Sequence, residues 1–121
     1  MTKEQKLNEF WNSFGWLAFD ENTVPDETPL PYITYAAVFD SFGAPVVLSA
    51  SLWHRSRSWT TVTEKAAEIE QSVGYSGMVL PYDGGYLWLK RGHPFSQRMS
   101  DEDDGIRRIY INIEAEYLSE N

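Results

Sequence analysis

The chain has 121 residues, of which 42% are hydrophobic and 15% aromatic, so it has enough apolar side chains to bury the core of one compact domain. Its ten basic and eighteen acidic residues give a formal net charge of -8, the wrong sign for a protein that binds nucleic acid by neutralising phosphates. The absence of cysteine excludes disulfides, thiolate metal ligands and cysteine nucleophiles. We therefore expect a single domain over residues 1–121 with no specific nucleic-acid partner.

The sequence gives no sign of a targeting or membrane segment. Residues 1–6 are charged, unlike the apolar part of a signal peptide. No run of about 18 apolar residues, the length that spans a bilayer, occurs in the chain. These features predict a protein that is made in the cytoplasm and has no membrane partner.

A first helix is predicted over about residues 3–14. Thr2 and Gln5 have the spacing of a capping box. Four apolar residues then fall on one helical face: Leu7, Phe10, Trp11 and Phe14. Residues 20–31 contain three prolines and several polar residues, which predicts a long loop or an extended arm.

Two strands and a second helix follow the long loop. Residues 32–39 and 46–55 are rich in aromatic and β-branched residues, and a turn over 40–45 predicts that they pair as an antiparallel hairpin. Thr61 and Glu64 suggest a second capping box, and Gly74 ends the helix. Four apolar residues line one face of this helix: Val62, Ala66, Ile69 and Val73.

Three further strands complete the predicted fold. Residues 78–91 form a hairpin around Asp83-Gly84-Gly85, placed in the middle of the sheet, and residues 92–105 form a long loop. Residues 106–117 alternate apolar and polar side chains as a strand with one buried face does. The order α-β-β-α-β-β-β predicts an α+β domain, with an antiparallel or mixed sheet of about five strands and two helices on one face.

The loop over residues 93–105 contains the residue types of an active site, but not in a catalytic pattern. His93 has no second histidine at metal-binding spacing, and the nearby serines lie in no nucleophile elbow. The acids Asp101–Asp104 fail the calcium-loop pattern, which needs a glutamate where Asn112 stands. We predict no enzyme, cofactor or catalytic residue, while a small metal-dependent enzyme or binder that uses this loop remains the alternative.

Arginine and tryptophan, the residues that most often anchor protein interfaces, are concentrated at predicted strand ends and in loops. Because the arginines hold most of the positive charge, they are predicted to form one basic patch. The candidate contact residues are Trp53, Arg55, Arg57, Trp59, Arg91, His93, Arg98, Asp101, Asp103, Asp104 and Arg107. The sequence thus favours a protein that acts through contacts with other proteins.

Several stretches in order resemble a known family. Residues 22–27 and 30–35, residues 50–56, residues 90–95 and residues 97–101 are similar to small tail terminator or minor structural proteins of long-tailed phages and prophages of Gram-positive bacteria. The resemblance covers nearly the whole chain. It rests on ordered similarity, because none of these stretches is a chemical signature.

The resemblance implies a small α+β subunit that forms a hexameric ring, caps the tail tube and joins the tail to the head. The implied partners are further copies of the chain, the tail-tube protein and a head-completion or connector protein, with DNA passing through the ring. It implies a location in the virion at the tail–head joint and no catalysis. A head-tail joining or head-closure role, or another minor virion role, is the alternative, and a host-directed binding module is a third hypothesis.

Overall fold

The structure is a computed structural model and describes residues 1–39 and 44–119. The elements in chain order are α1 Lys3–Asn12, β1 Leu17–Asp20, β2 Tyr32–Tyr35, β3 Val46–Arg55, α2 Thr60–Val73, β4 Met78–Tyr82, β5 Gly85–Met99 and β6 Ile106–Ser119. They form a six-stranded sheet in the order β1-β2-β3-β6-β5-β4. Because β1 is parallel to β2 and the other neighbours are antiparallel, the sheet is mixed. The predicted α+β class is confirmed, with six strands instead of about five.

The additional strand is β1, which the sequence analysis did not predict. It has four residues, of which only Ala18 is buried, so it shows no apolar alternation. Its partner β2 lies beyond the long loop, with Leu17 opposite Tyr32. The strand therefore forms through a non-local pairing that local sequence does not encode, and three strands separate the two helices instead of two.

Helix α1 begins as predicted and ends earlier. The Gln5 N–H donates to the Thr2 hydroxyl, and the Gln5 side chain accepts from the Thr2 N–H, which confirms the capping box. The helix ends at Asn12, with Ser13 as its C-cap, whereas the prediction extended it to Phe14. Phe14 is nevertheless buried against the same core.

Helix α2 has the predicted buried face and C-terminus but a different start. Its N-cap is Trp59, which makes no side-chain capping bond, so the capping box of Thr61 and Glu64 is wrong. The four predicted apolar residues Val62, Ala66, Ile69 and Val73 are all buried. Gly74 follows the last helical residue with φ 78, a backbone angle that suits glycine.

The predicted hairpin of β2 and β3 is confirmed as an antiparallel pair, although β2 ends at Tyr35 instead of continuing to residue 39. Of the turn predicted over 40–45, residues 40–43 lie outside the described residues. After β2 the chain is still held to the domain, because the Tyr117 hydroxyl donates to the Val38 carbonyl at 2.6 Å.

The hairpin around Gly84 forms as predicted, but it does not lie in the middle of the sheet. Strand β4 is an edge strand, and the centre of the sheet is the long pair of β3 and β6. Strand β5 also continues to Met99, so most of the loop predicted over 92–105 is strand. A register shift between Arg91 and Ser96 allows this, because it absorbs Gly92 and Pro94 without ending the pairing with β6.

Both helices pack on one face of the sheet. The core joins the apolar face of each helix to the inward-facing residues of the central strands, among them Leu48, Ala50 and Leu52 of β3. The alternating residues Ile109, Ile111, Ile113 and Ala115 of β6 are buried, as predicted. Within residues 1–39 and 44–119 the other face of the sheet carries no helix, although Glu21 and Val24 of the long loop line a cavity on it. Below, this face is called the open face.

Candidate contact surface

Most of the predicted contact residues meet at one end of the sheet. The register brings the end of β3, the start of β6 and the end of β5 together, since Arg55 lies opposite Ile106 and Met99 opposite Arg108. Helix α2 begins at the same end, directly after Trp59. We call this group the Trp59 cluster, and it comprises Arg55, Arg57, Trp59, Arg98, Asp101, Asp103, Asp104 and Arg107.

Trp59 is the centre of the cluster, because two arginines stack on its ring. The guanidinium carbon of Arg98 lies 4.7 Å from a ring centroid of Trp59 and that of Arg107 lies 5.3 Å away. Both distances are within the range of a cation–π interaction. Trp59 is half-buried and packs against the core, so the domain holds the indole in place. The two arginines that stack on its ring lie outside the core.

The two arginines have different roles. Arg107 donates to the carbonyls of Asp104 and Arg57, each at 2.9 Å, and to its neighbour Ile106 at 3.3 Å, so it ties the loop before β6 to the segment after β3. The side chain of Arg98 is exposed and stacks on Trp59, and it is in no ion pair of the described residues. Arg107 therefore stabilises the cluster, and Arg98 is free to contact another molecule.

Asp103 orders the acidic loop that closes the cluster. One of its carboxylate oxygens accepts from the Gly105 N–H at 2.7 Å, and the other lies 3.3 Å from the Arg55 guanidinium. The bond from Gly105, followed by that from Arg55, lowers the pKa of Asp103 below its usual value. The carboxylate of Asp103 therefore stabilises the conformation of the acidic loop through its contacts with Gly105 and Arg55.

A shallow cavity of about 240 Å³ lies within the Trp59 cluster and is lined by Trp59, Arg98 and Arg107 on one side and by the acidic loop on the other. Its wall mixes an aromatic ring, cations and carboxylates. This composition suits a protein side chain better than a phosphate, because the carboxylates repel anions. The cavity does not include His93.

Trp53 lies apart from this cluster, on the open face. Its indole N–H donates to the Thr34 hydroxyl at 2.9 Å, and the Arg108 guanidinium lies 4.6 Å from its ring. Arg108 in turn donates twice to the hydroxyl of Ser51, at 3.1 and 3.0 Å, which accounts for the burial of that serine. Thr34 and Ser51 were not among the predicted contact residues, although their alternation with apolar residues places them on the face of Trp53.

Arg91 and His93 lie together at a second site, which we call the Arg91 site. They line a cavity of about 350 Å³ with Tyr75, Ser76, Lys90 and Glu114. The Arg91 guanidinium lies 5.3 Å from the ring of Tyr75, which is 98% exposed. The prediction of one basic patch is therefore wrong, because the bulge in β5 puts Arg91 and His93 in a different cavity from Arg98.

The largest cavity described contains none of the predicted contact residues. It has a volume of about 730 Å³ and lies between α1 and the end of β2. Three carboxylates, those of Glu4, Glu9 and Asp20, lie along it with the side chain of Tyr35. The Tyr35 hydroxyl accepts from the Asn8 amide at 3.0 Å, so this polar group already has a partner. We assign the cavity no role.

The alternative of a metal-dependent enzyme requires His93, Arg98 and the acids Asp101–Asp104 to line one pocket. The structure places His93 in one cavity and Arg98 with the acids in another. Within residues 1–39 and 44–119, no three histidine or acidic side chains are arranged to hold a metal ion. In the same part of the chain, no helix has the length and apolar character to cross a membrane.

No protein-family model and no curated protein matches the chain. A search of solved structures matches it to a chain of the virion of the native gene transfer agent particle, at 20% sequence identity and a TM-score of 0.53. The match covers 84% of this chain and 78% of the other. At this identity the similarity is one of fold, and the chain thus shares the fold of a virion component.

Proposed function

We propose that this protein is a structural subunit of a phage-like virion, specifically a tail terminator that forms a ring on the end of the tail tube and joins the tail to the head. The observation that carries the proposal is the fold shared with a chain of the gene transfer agent virion over 84% of this sequence. The sequence resemblance to tail terminators supports the more specific role. In this account the protein acts by binding and not by catalysis.

The surface suits a subunit that makes several protein contacts. The Trp59 cluster offers an indole with two stacked arginines at one end of the sheet. The Trp53–Arg108 pair lies on the open face, in a cavity of about 450 Å³. Tryptophan and arginine carry much of the binding energy in known interfaces. We propose these two surfaces as contacts with a neighbouring copy, the tail-tube protein or the connector.

The net charge suits passage of DNA. At -8 per chain, a ring of six copies carries a large negative charge that repels the DNA backbone and lets it pass without binding. We propose a hexamer on the family resemblance, made in the host cytoplasm and located at the tail–head joint of the virion.

The direct test is to add the protein to polymerising tail-tube protein from the same genome and to examine the product by electron microscopy. A terminator binds one end of each tube and shortens the tubes as its concentration rises. Binding along the tube walls, or tubes of unchanged length with bare ends, would contradict the proposal. If the ends stay bare but the protein binds the head connector, the head-closure role is the correct one.

A further inference from the structure

The charged side chains of strand β5 are all basic, and part of the outer edge of this strand is unpaired. Strand β4 pairs with residues 85–89, and no strand of the described residues pairs with the outer side of β5 from Lys90 onward. Strand β5 contains Lys90, Arg91 and Arg98 together with His93, and it contains no acid. Lys90 is paired with Glu116 at 3.1 Å, but Arg91 and His93 are in no ion pair of the described residues. This edge therefore offers the Arg91 guanidinium, with His93 beside it, to a negatively charged segment.

The loop between β1 and β2 has the opposite charge. Residues 20–31, which we call the arm, contain four acids and neither lysine nor arginine. Asp26 and Glu27 are exposed and lie at the tip of a turn, where the Thr28 N–H donates to the Pro25 carbonyl at 3.3 Å. Neither acid is in an ion pair of the described residues. The arm therefore presents two free carboxylates on an ordered turn.

Among the described residues, the tip of the arm is not paired with the cations of β5 in its own chain, although Glu21 and Val24 near its start line the open-face cavity of Arg108. It joins β1 to β2 at one side of the sheet, whereas the edge of β5 lies on the other side. Four strand spacings, roughly 19 Å along the sheet, separate β1 from β5. When complementary charges lie on opposite sides of one subunit, a head-to-tail contact between copies brings them together. Repeated contacts of this kind close into a ring when the rotation between successive subunits brings the last copy back to the first.

Strand addition is a poor alternative for the outer edges of the sheet. At β1, the Ala18 N–H and carbonyl are both bonded to the Asn12 side chain. At β4, Pro81 has no N–H to donate, and the Asp83 N–H is bonded to the Met1 carbonyl. Since prolines at 25, 29 and 31 also prevent the arm from pairing as a regular strand, side-chain charge is left to make the contact.

We infer that the arm of one subunit docks on the Arg91 site of the next, with Asp26 and Glu27 facing Arg91 and His93. Tyr75 provides an exposed ring beside Arg91, in a cavity of about 350 Å³ that also contains Lys90 and Glu114. The Arg91 guanidinium is in no ion pair of the described residues and is therefore the group that receives the carboxylates of the turn. This inference rests on the proposed ring and names the contact that joins its subunits. The occupant is a second copy of this chain.

The test is a reciprocal charge reversal. One variant carries Asp26→Arg and Glu27→Arg, a second carries Arg91→Glu and His93→Glu, and a third carries all four substitutions. Sedimentation velocity at low salt measures the self-association of each, and circular dichroism checks that each is folded. Glu64→Arg, an exposed change on α2, is the control for altered net charge.

We expect each double variant to self-associate at least about tenfold more weakly than wild type, because like charges then face one another. The fourfold variant, and an equal mixture of the two double variants, should associate as wild type does. If the wild type assembles and the double variants assemble equally well, the arm contact is wrong and the ring stands. If they fail to assemble and the fourfold variant is not rescued, the arm binds another partner and the inference is overturned. A wild type that stays monomeric overturns both the ring and this contact.

Discussion

The side-chain amide of Asn12 bonds both backbone groups of Ala18, accepting from its N–H at 3.0 Å and donating to its carbonyl at 3.2 Å. Asn12 is the last residue of α1, and Ala18 is the buried residue of the edge strand β1. The amide thus takes the place of a neighbouring strand. An edge residue covered in this way is not available to pair with the edge of another chain, which disfavours open-ended aggregation.

Removal of this amide should destabilise the protein and expose the edge. Asn12→Ala leaves the N–H and carbonyl of a 4% exposed residue without partners, at a cost of about 1–3 kcal/mol. Urea denaturation measures the loss, and light scattering at rising concentration measures aggregation. Asn22→Ala is the matched control, because the exposed Asn22 makes no side-chain hydrogen bond within the described residues. Equal stability of the two variants would contradict the role of Asn12.

Substitutions of the two arginines that stack on Trp59 should affect different properties, stability for Arg107 and assembly for Arg98. Arg107→Ala removes bonds to three backbone carbonyls, and we expect the free energy of unfolding to fall by about 2 kcal/mol. Arg98→Ala removes an exposed stacking contact worth about 0.5–1 kcal/mol within the chain. It should weaken assembly about tenfold if the Trp59 cluster is an interface. Assembly of Arg98→Ala at wild-type strength would remove the cluster from the contact surface.

The acidic loop should loosen at low pH because of Asp103. Its pKa is lowered, so the carboxylate contributes to order above the ordinary value of 3.8, and this contribution is lost as the pH falls through the lowered pKa. The Gly105 amide resonance, followed by NMR, should therefore titrate below pH 3.8. Asp103→Asn keeps an oxygen that accepts from the Gly105 N–H but should abolish the titration of the Gly105 resonance. Asp104→Asn should leave that titration unchanged. If the Gly105 amide resonance titrated with a midpoint above the ordinary aspartate pKa of 3.8, the proposed contacts of Asp103 would be wrong.

Tyr117 should make the protein sensitive to alkali. Burial raises the pKa of Tyr117 above its ordinary value of 10.0. The neutral form therefore contributes stability that is present below pH 10 and is lost as the pH rises towards the raised pKa of the folded state. Tyr117→Phe should cost about 1 kcal/mol at pH 8, through the lost bond to Val38, and should be less sensitive to alkali than wild type. Tyr86→Phe, at an exposed position, is the control. Urea unfolding at pH 8 and at pH 10.5 measures how much stability wild type and each variant lose between the two pH values. An equal loss for wild type and Tyr117→Phe would contradict this role of Tyr117.

The sequence predicted the elements whose pattern is local and periodic. The alternation of Ile109, Ile111 and Ile113 predicted β6, and the apolar face of α2 follows from the helical period of Val62, Ala66 and Ile69. Strand β1 could not be found in this way, because its four residues depend on pairing with a segment beyond the arm. The extent of β5 was missed because Gly92 and Pro94 indicate a loop, while the register shift makes both compatible with a strand.

The candidate site was predicted by residue type and not by arrangement. Arginine and tryptophan suggested an interface, but the register of β3, β5 and β6 determines that Arg98 and Arg107 share Trp59 while Arg91 lies apart. Arg108 appeared in the sequence only as one of several basic residues. Its contacts with Trp53 and Ser51 depend on its position opposite Trp53, which no local pattern gives.

The mass of the protein in solution tests most directly whether this chain is a self-assembling virion subunit, as proposed above. Light scattering on size-exclusion fractions, at several protein concentrations and with or without the tail-tube protein, gives that mass. We expect one closed oligomer, about six times the 13.9 kDa chain, whose mass does not increase further with concentration. A strict monomer at every concentration, with no complex formed on the tail tube, would contradict the account.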